Sequence, residues 1–199
     1  MKTLFAAPLL IALTFPAFGR VNTDAQKNLE EKVRKQLVEL SNYGVFDFLQ
    51  FRIDGGHVAL LGYVDNASLK SDAERAVKRV EGVETVENEI QVLPVSRIDD
   101  GIRRALFNRI YQQPALSRYA AGGGLLRHDP FNRPPFGWAN TPSNAFEPGG
   151  NYAIHIIVNN GNVILAGNVD SKMDKDIAGI TANGMAGVFS VDNQLVVGS

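Results

Sequence analysis

The sequence predicts an α+β fold made of two αββαβ modules, each a small mixed sheet with two helices on one face. Three observations predict it: a duplicated motif, a switch from helical to strand periodicity inside each copy, and a composition suited to packed cores. Of the 199 residues 45% are apolar and the formal net charge is −1, which argues against general disorder and against a chain-wide nucleic-acid binder. The chain has no cysteine, which excludes disulfides and cysteine-based metal or catalytic sites.

The duplication is visible when the chain is shifted by 105 residues, which aligns 53–92 with 158–197 without a gap. Identical residues fill 13 of these 40 pairs, including a Gly-x-Val-x-Leu-x-Gly-x-Val-Asp stretch and a later Gly-Val-x-x-Val-x-Asn stretch. The shared motif residues that we assign a structural role are Gly56, Gly62, Gly82 and Asn88 in the first copy and Gly161, Gly167, Gly187 and Asn193 in the second. We therefore predict a first domain at 28–95 and a second at 96–198.

Each module is predicted to open with an amphipathic helix, because apolar residues recur at helical spacing at Leu29, Val33, Leu37 and Leu40. The apolar period then changes to two on both sides of Asp54-Gly55-Gly56, which predicts two strands joined by a tight hairpin. A second helix follows and is expected to end at Gly82. The last element is a strand in which Val86, Ile90 and Val92 alternate with polar residues.

These motifs, in this order of elements, resemble the BON domain, a family named for bacterial osmotically induced periplasmic proteins and nodulation proteins. The resemblance covers nearly the whole chain after its N-terminal segment, and it is strongest to envelope proteins with two BON domains. It implies a non-enzymatic role at the cell envelope, in phospholipid association, membrane integrity or osmotic-stress chaperoning. In lipid-binding relatives the late helix can contact the membrane, which here corresponds to about 171–185. Its lysines, Lys172 and Lys175, are balanced in the sequence by Asp174 and Asp176.

The N-terminus predicts export from the cytoplasm. Lys2 precedes an apolar run, and Ala17-Phe18-Gly19 supplies small residues at the two positions that a signal peptidase inspects. We therefore predict a signal peptide at residues 1–19, cleaved before Arg20, and a periplasmic or secreted protein. An uncleaved anchor is the alternative, but the run is short for a bilayer span of roughly 20 residues.

The second copy carries a Gly/Pro-rich insert at about 112–150, between its first helix and its first strand. The stretch contains Gly122-Gly123-Gly124, Pro134-Pro135 and Trp138. Long segments of turn-forming residues are usually either functional or mobile. We favour a mobile coil with one docked aromatic side chain.

Positive charge is concentrated in the second copy, since the net charge is −4 over 28–95 and +1 over 96–199. Arginines there alternate with aromatic residues, a combination that suits an anionic phospholipid surface, because guanidinium groups pair with phosphate and rings lie at the interface. The tentative lipid-binding residues are Arg97, Arg103, Arg104, Arg109, Tyr111, Lys172 and Lys175. The alternative is a helix with solvated arginines and inward-packed aromatics. Export makes nucleic acid an unexpected partner.

Several other polar residues have structural interpretations. We expect His57 and His155 to lie at the surface. Asp65 and Asp170 each end a strand just before a helix, where a carboxylate commonly caps backbone N–H groups. We interpret the motif asparagines, Asn88 and Asn193, as buried amides that bond to backbone groups. The glycines inside the strands, Gly62 and Gly167, are expected to allow the close approach of a helix or to form a bulge.

No signature of catalysis is found. The three histidines are scattered, no Gly-rich loop has the form of a phosphate-binding loop, and no Ser-His-Asp arrangement is suggested. We therefore expect neither an enzyme nor a metal site nor a cofactor. The alternative to lipid binding is a protein-interaction or holdase chaperone module that uses exposed sheet faces, sheet edges or the insert.

Overall fold

The structure, a computed structural model, describes residues 23–120 and 152–198. The first module contains α1 (Thr23–Val38), β1 (Phe48–Asp54), β2 (His57–Val64), α2 (Ala67–Val77), β3 (Thr85–Asn88) and β4 (Gln91–Val92). The second contains α3 (Arg97–Tyr111), a 3-10 turn η1 (Ser117–Tyr119), β5 (Ile154–Asn159), β6 (Asn162–Val169), α4 (Lys172–Asn183), β7 (Ser190–Asn193) and β8 (Val196–Val197). The predicted signal peptide and most of the predicted insert lie outside the described residues.

Both modules have the predicted mixed sheet. In the first, β2 pairs with β1 in the antiparallel sense and with β3 and β4 in the parallel sense. The second repeats this arrangement around β6. The last strand of each module is divided, because the side chain of Asn88 turns the backbone there by accepting the N–H of Ile90, and Asn193 does the same for Leu195.

The two helices of each module cover one face of its sheet, so the α+β fold of two αββαβ modules is confirmed. The first core consists of side chains from α1, α2 and β2, namely Leu29, Val33, Leu37, Leu69, Ala73, Val77, Val58, Leu60 and Val64. Full burial of each large aliphatic side chain contributes about 1.5–3 kcal/mol to folding. The second core uses the equivalent faces of α3, α4, β5 and β6.

The described beginning of the predicted insert is packed rather than coiled. After α3 the chain makes η1, and both Leu116 and Tyr119 are buried in the second core. The Tyr119 hydroxyl accepts the backbone N–H of Asp170 at 2.7 Å. Residues 112–120 therefore belong to the second module.

The modules are joined by the loop between α1 and β1, which we call the docking loop, Tyr43–Asp47. Its Val45 and Phe46 are buried in the core of the second module. The Val45 carbonyl accepts the N–H of Ile156 at 2.8 Å, so the loop pairs with the outer edge of β5. A segment of the first module thus completes the packing of the second.

The position of His155 corrects its predicted exposure. Its ring is buried, with Nε2 3.3 Å from the Tyr43 hydroxyl and Nδ1 3.2 Å from the Gly44 carbonyl oxygen. Strand alternation places His155 on the face opposite Ile154 and Ile156, as expected, but the docking loop covers that position. His57 is exposed, as predicted.

The aspartates that end β2 and β6 do not cap the following helices, which corrects a second expectation. The N-caps are the next residues, Asn66 for α2 and Ser171 for α4. Asp65 and Asp170 instead form ion pairs with arginines.

The motif asparagines bond to backbone groups as predicted, although they are half-buried rather than buried. Asn88 donates to the Lys70 carbonyl at 3.0 Å and Asn193 to the Lys175 carbonyl at 2.8 Å, which ties the last strand of each module to its second helix. The strand glycines correct the expected approach of a helix, because a neighbouring strand approaches them instead. Gly62 has a φ of +112°, and a Cβ there would lie 1.9 Å from the Phe48 carbonyl oxygen. The close neighbour of this glycine is therefore the adjacent strand.

Candidate lipid-binding surface

Arg103 is buried at the junction of the modules, which corrects its assignment to a membrane surface. Its Nη1 lies 2.6 Å from Asp65 and 2.7 Å from Asp100, and its Nη2 donates to the Val158 carbonyl at 2.8 Å. The side chain extends from α3 to the end of β2, where it pairs with Asp65 of the first module. Burial raises the pKa of Asp65, and the Arg103 charge opposes that rise.

Tyr111 is also buried, so its assignment to a membrane surface is corrected as well. Its hydroxyl donates to the Ile154 carbonyl, and its ring lies 5.1 Å from Phe107 and 5.4 Å from Tyr152, measured between centroids. Burial raises the pKa of this hydroxyl. The aromatic residues of α3 thus pack inward, which is the alternative that the sequence left open.

The remaining arginines of α3 do not form one cluster. Arg97 and Arg109 are exposed and Arg104 is half-buried. Arg97 and Arg104 are two turns apart and share a face, whereas Arg109 lies about 120° around the helix from Arg97. This helix therefore presents separate charges rather than a concentrated basic site.

In α4 the structure changes the charge balance expected from the sequence. Asp174 is buried, and its carboxylate accepts from Ser171, from Tyr119 and from Arg118, the last at 2.6 Å. The hydrogen bond from Ser171 is the largest of the causes that lower the pKa of Asp174. Asp174 is thus absent from the outer surface, where Lys172 pairs with Asp176 at 2.6 Å and Lys175 is half-buried.

Two exposed apolar side chains lie on the outer side of α4, and they were not predicted from the sequence. Met173 is 71% exposed and Ile180 is 73% exposed, and the half-buried Ile177 lies between them. Their spacing of four and three residues puts all three on one side of α4. Contiguous exposed apolar patches commonly mark an interaction surface. We call Lys172, Met173, Ile177 and Ile180 the α4 surface. Lys175, two residues after Met173, lies about 160° around the helix from it and is therefore on the opposite side, which corrects its assignment to the same surface.

The match to a known protein family falls on the two copies of the duplication. The model of the BON domain matches residues 24–94 and 149–199. The chain belongs to the BON domain family. BON domains are non-catalytic binding domains that occur in envelope proteins. A comparison with curated proteins finds no significant match.

Solved structures similar to this BON protein include the C-terminal domain of CdsD, a structural protein of the type III secretion system of Chlamydia trachomatis. That similarity has 13% identity and a TM-score of 0.25, and covers 90% of this chain and all of the other. A second CdsD structure matches with 14% identity and a TM-score of 0.23, covering 87% of this chain and 92% of the other.

Comparison of the two BON modules shows what could have identified the α4 surface. Shifting the sequence by 105 places Ser68, Asp72 and Arg75 of α2 where α4 has Met173, Ile177 and Ile180. The same face of the same helix is thus polar in the first module and apolar in the second. The signal was present in the sequence as a difference between aligned copies.

A second feature of this BON protein is a cleft of about 540 Å³ between the modules. One wall is formed by α1 and β1, with Arg34, Val38 and Phe51, and the other includes Arg118 and Tyr152.

None of the helices within residues 23–120 and 152–198 is long and apolar enough to cross a membrane. The same residues contain no group of three acidic or histidine side chains that could hold a metal ion.

Proposed function

We propose that this BON protein is exported and binds anionic phospholipid at the envelope through the α4 surface, in support of envelope integrity. The observation that carries the proposal is the exposure of Met173 and Ile180 on one helix face, with Lys172 at its margin. Apolar side chains with a lysine at their margin suit the boundary between acyl chains and headgroups. Because Asp174 is buried, it adds no exposed negative charge there, and the exposed Asp176 is paired with Lys172.

The free energies expected for the individual side chains support weak, reversible binding to the membrane. Lys172 near an anionic surface contributes about 1 kcal/mol, which is lost as salt rises. Partial burial of Met173 and Ile180 in the membrane contributes at most about 1.5–3 kcal/mol each. Such a surface provides peripheral rather than permanent attachment.

The test is cosedimentation of the protein without residues 1–19 with phosphatidylglycerol-containing and pure phosphatidylcholine vesicles at two salt concentrations. We expect binding that is selective for the anionic vesicles and weakened by salt. Replacing Met173 and Ile180 together by Ser should reduce binding about tenfold or more, since each buried side chain contributes more than 1 kcal/mol. Replacing the fully exposed Val95 by Ser is the matched control and should leave binding unchanged.

Equal loss in both variants would indicate non-specific adsorption, and absence of binding by the unmodified protein would refute the lipid proposal. Suppressed aggregation of a client protein without vesicle binding would then favour the chaperone alternative.

Export is tested separately by the mass of the protein recovered from the periplasm or medium. A mass equal to that of a chain beginning at Arg20 supports cleavage, whereas the mass of a chain with an intact N-terminus contradicts it.

A further inference from the structure

The first module contacts the edge of the second at three points, two of them in the docking loop. The backbone of Val45 accepts from Ile156 of β5. The ring of Phe46 packs edge-on against Phe107 of α3, with 6.4 Å between centroids. A carboxylate beside the loop, that of Asp65, pairs with Arg103.

The duplication assigns an equivalent to each residue that receives these contacts. The strands align with a shift of 105 and the first helices with a shift of 69, as the buried pairs Val33 with Ile102 and Leu37 with Leu106 indicate. The equivalents of Ile156, Phe107 and Arg103 are Phe51, Val38 and Arg34. The first module thus has the same kind of edge, with an N–H donor, an apolar position and an arginine.

In the part of the chain that the structure describes, nothing covers that edge in the first module. Val38 is 42% exposed whereas Phe107 is 4% exposed, because Phe46 covers only the latter. Arg34 is exposed, with its guanidinium carbon 5.7 Å from the centre of the Phe51 ring. β1 is an edge strand of its sheet, and within residues 23–120 and 152–198 no second strand pairs with its outer side.

All three open positions line the cleft between the modules, whose volume is within the range of ligand sites. The opposite wall offers the aromatic side chains of Tyr119 and Tyr152. The cleft therefore combines an unpaired strand edge, an apolar wall and an accessible guanidinium.

We propose that the cleft binds an extended peptide segment of a partner protein that carries an aromatic residue next to a carboxylate. The peptide backbone adds to β1 at Phe51, its aromatic side chain covers Val38, and its carboxylate pairs with Arg34. Strand addition gives main-chain hydrogen bonds, while side-chain pockets give specificity. An arginine is well suited to the carboxylate because its planar fork can form two charge-assisted bonds.

The docking loop indicates how such a segment is arranged. Its Phe46 is followed by Asp47, whose carboxylate accepts the backbone N–H of Asp65, the residue that pairs with Arg103. The docking loop of a second copy is a poor source of the segment, because that loop is buried. The proposal does not depend on lipid binding by the α4 surface.

The test uses the full chain without residues 1–19 and a fluorescent peptide with the sequence of residues 41–47, Ser-Asn-Tyr-Gly-Val-Phe-Asp. We expect saturable binding that increases the fluorescence anisotropy of the peptide. Arg34→Gln should weaken binding about tenfold or more, as loss of a charged hydrogen bond predicts. The control, Arg52→Gln, removes an exposed arginine from β1 and should have no effect.

Hydrogen exchange locates the peptide, and protection should increase at β1. No saturable binding up to about 1 mM, which corresponds to a negligible affinity, would overturn the proposal. Equal effects of Arg34→Gln and Arg52→Gln would also overturn it. Increased exchange of the docking loop would do so as well, because the peptide would then be replacing that loop at β5.

Discussion

The imidazole of His155 makes the junction between the modules sensitive to pH. Burial lowers its pKa from 6.5 to about 4, since the ring is enclosed by Tyr43, Gly44 and backbone groups. The unfolded state, with a pKa near 6.5, therefore binds more protons between these values. We expect the free energy of unfolding to fall by about 2–3 kcal/mol as the pH is lowered from 7 to 4.5.

Denaturant titrations at several pH values check this dependence. Carboxylates also titrate near the lower limit, so the quantity to compare is the pH slope of each variant relative to the unmodified protein. His155→Gln should be less stable at pH 7 but should have a shallower slope. His57→Gln, which changes an exposed histidine, should keep the original slope. Identical slopes for His155→Gln and the unmodified protein would show that the ring is not the cause.

At the scale of elements, the effect of replacing a glycine by alanine should depend on whether the glycine lies in a strand or in a helix. In β2, Gly62→Ala would force a side chain into a φ of +112° and against the Phe48 carbonyl, so we expect a loss of about 2 kcal/mol or more. In α3, Gly101 is exposed with no neighbour within 4 Å of an added Cβ. Gly101→Ala should therefore increase stability by up to about 1 kcal/mol.

Thermal unfolding monitored by circular dichroism distinguishes the two variants. The midpoint should decrease for Gly62→Ala and increase slightly for Gly101→Ala. If both variants moved the midpoint in the same direction, the close approach of β1 would not be the reason for a glycine at position 62. Gly167 of β6 has the same geometry, with a φ of +121°, and its variant should behave like that of Gly62.

The elements themselves were predictable because their cause is local. Apolar spacing, hairpin glycines and the repeated motif all lie within one module, and they correctly give the order αββαβ. Arg103 and Arg97 show where this reasoning ends, since both are arginines of α3 and only the first is buried. Its burial depends on Asp65, an acidic residue of the other module, which no local pattern in α3 reveals.

Contacts with distant segments also explain why the surroundings of His155 and of the α4 surface were not predicted. Alternation in β5 gives the correct face for His155, but whether that face meets solvent depends on a docking loop more than 100 residues earlier. In α4, the sequence counted Asp174 as a surface charge, whereas Arg118 and Tyr119 of the segment after α3 bind it from the inside. Contacts between distant segments, rather than element types, limited the prediction of the candidate site.

At the scale of the whole molecule, the docking loop makes the second core dependent on the first module. Phe46 belongs to the first module in sequence but is buried against Phe107 in the second. Phe46→Ala should cost about 3–5 kcal/mol if the site does not collapse. We expect the lost protection against hydrogen exchange to appear mainly in α3, β5 and β6, beyond the predicted boundary of the mutated domain.

Leu69→Ala provides the matched comparison, because Leu69 is fully buried in the first core between α2 and β2. Its cavity should reduce protection in α1, α2 and β2 first, and in the second module only to the extent that the docking loop is released. Two independent domains would give a different result, with both variants loosening the first module alone. Hydrogen exchange measured by mass spectrometry on the two variants therefore decides whether the modules are separate domains on a short linker or one cooperative unit joined through Tyr43–Asp47.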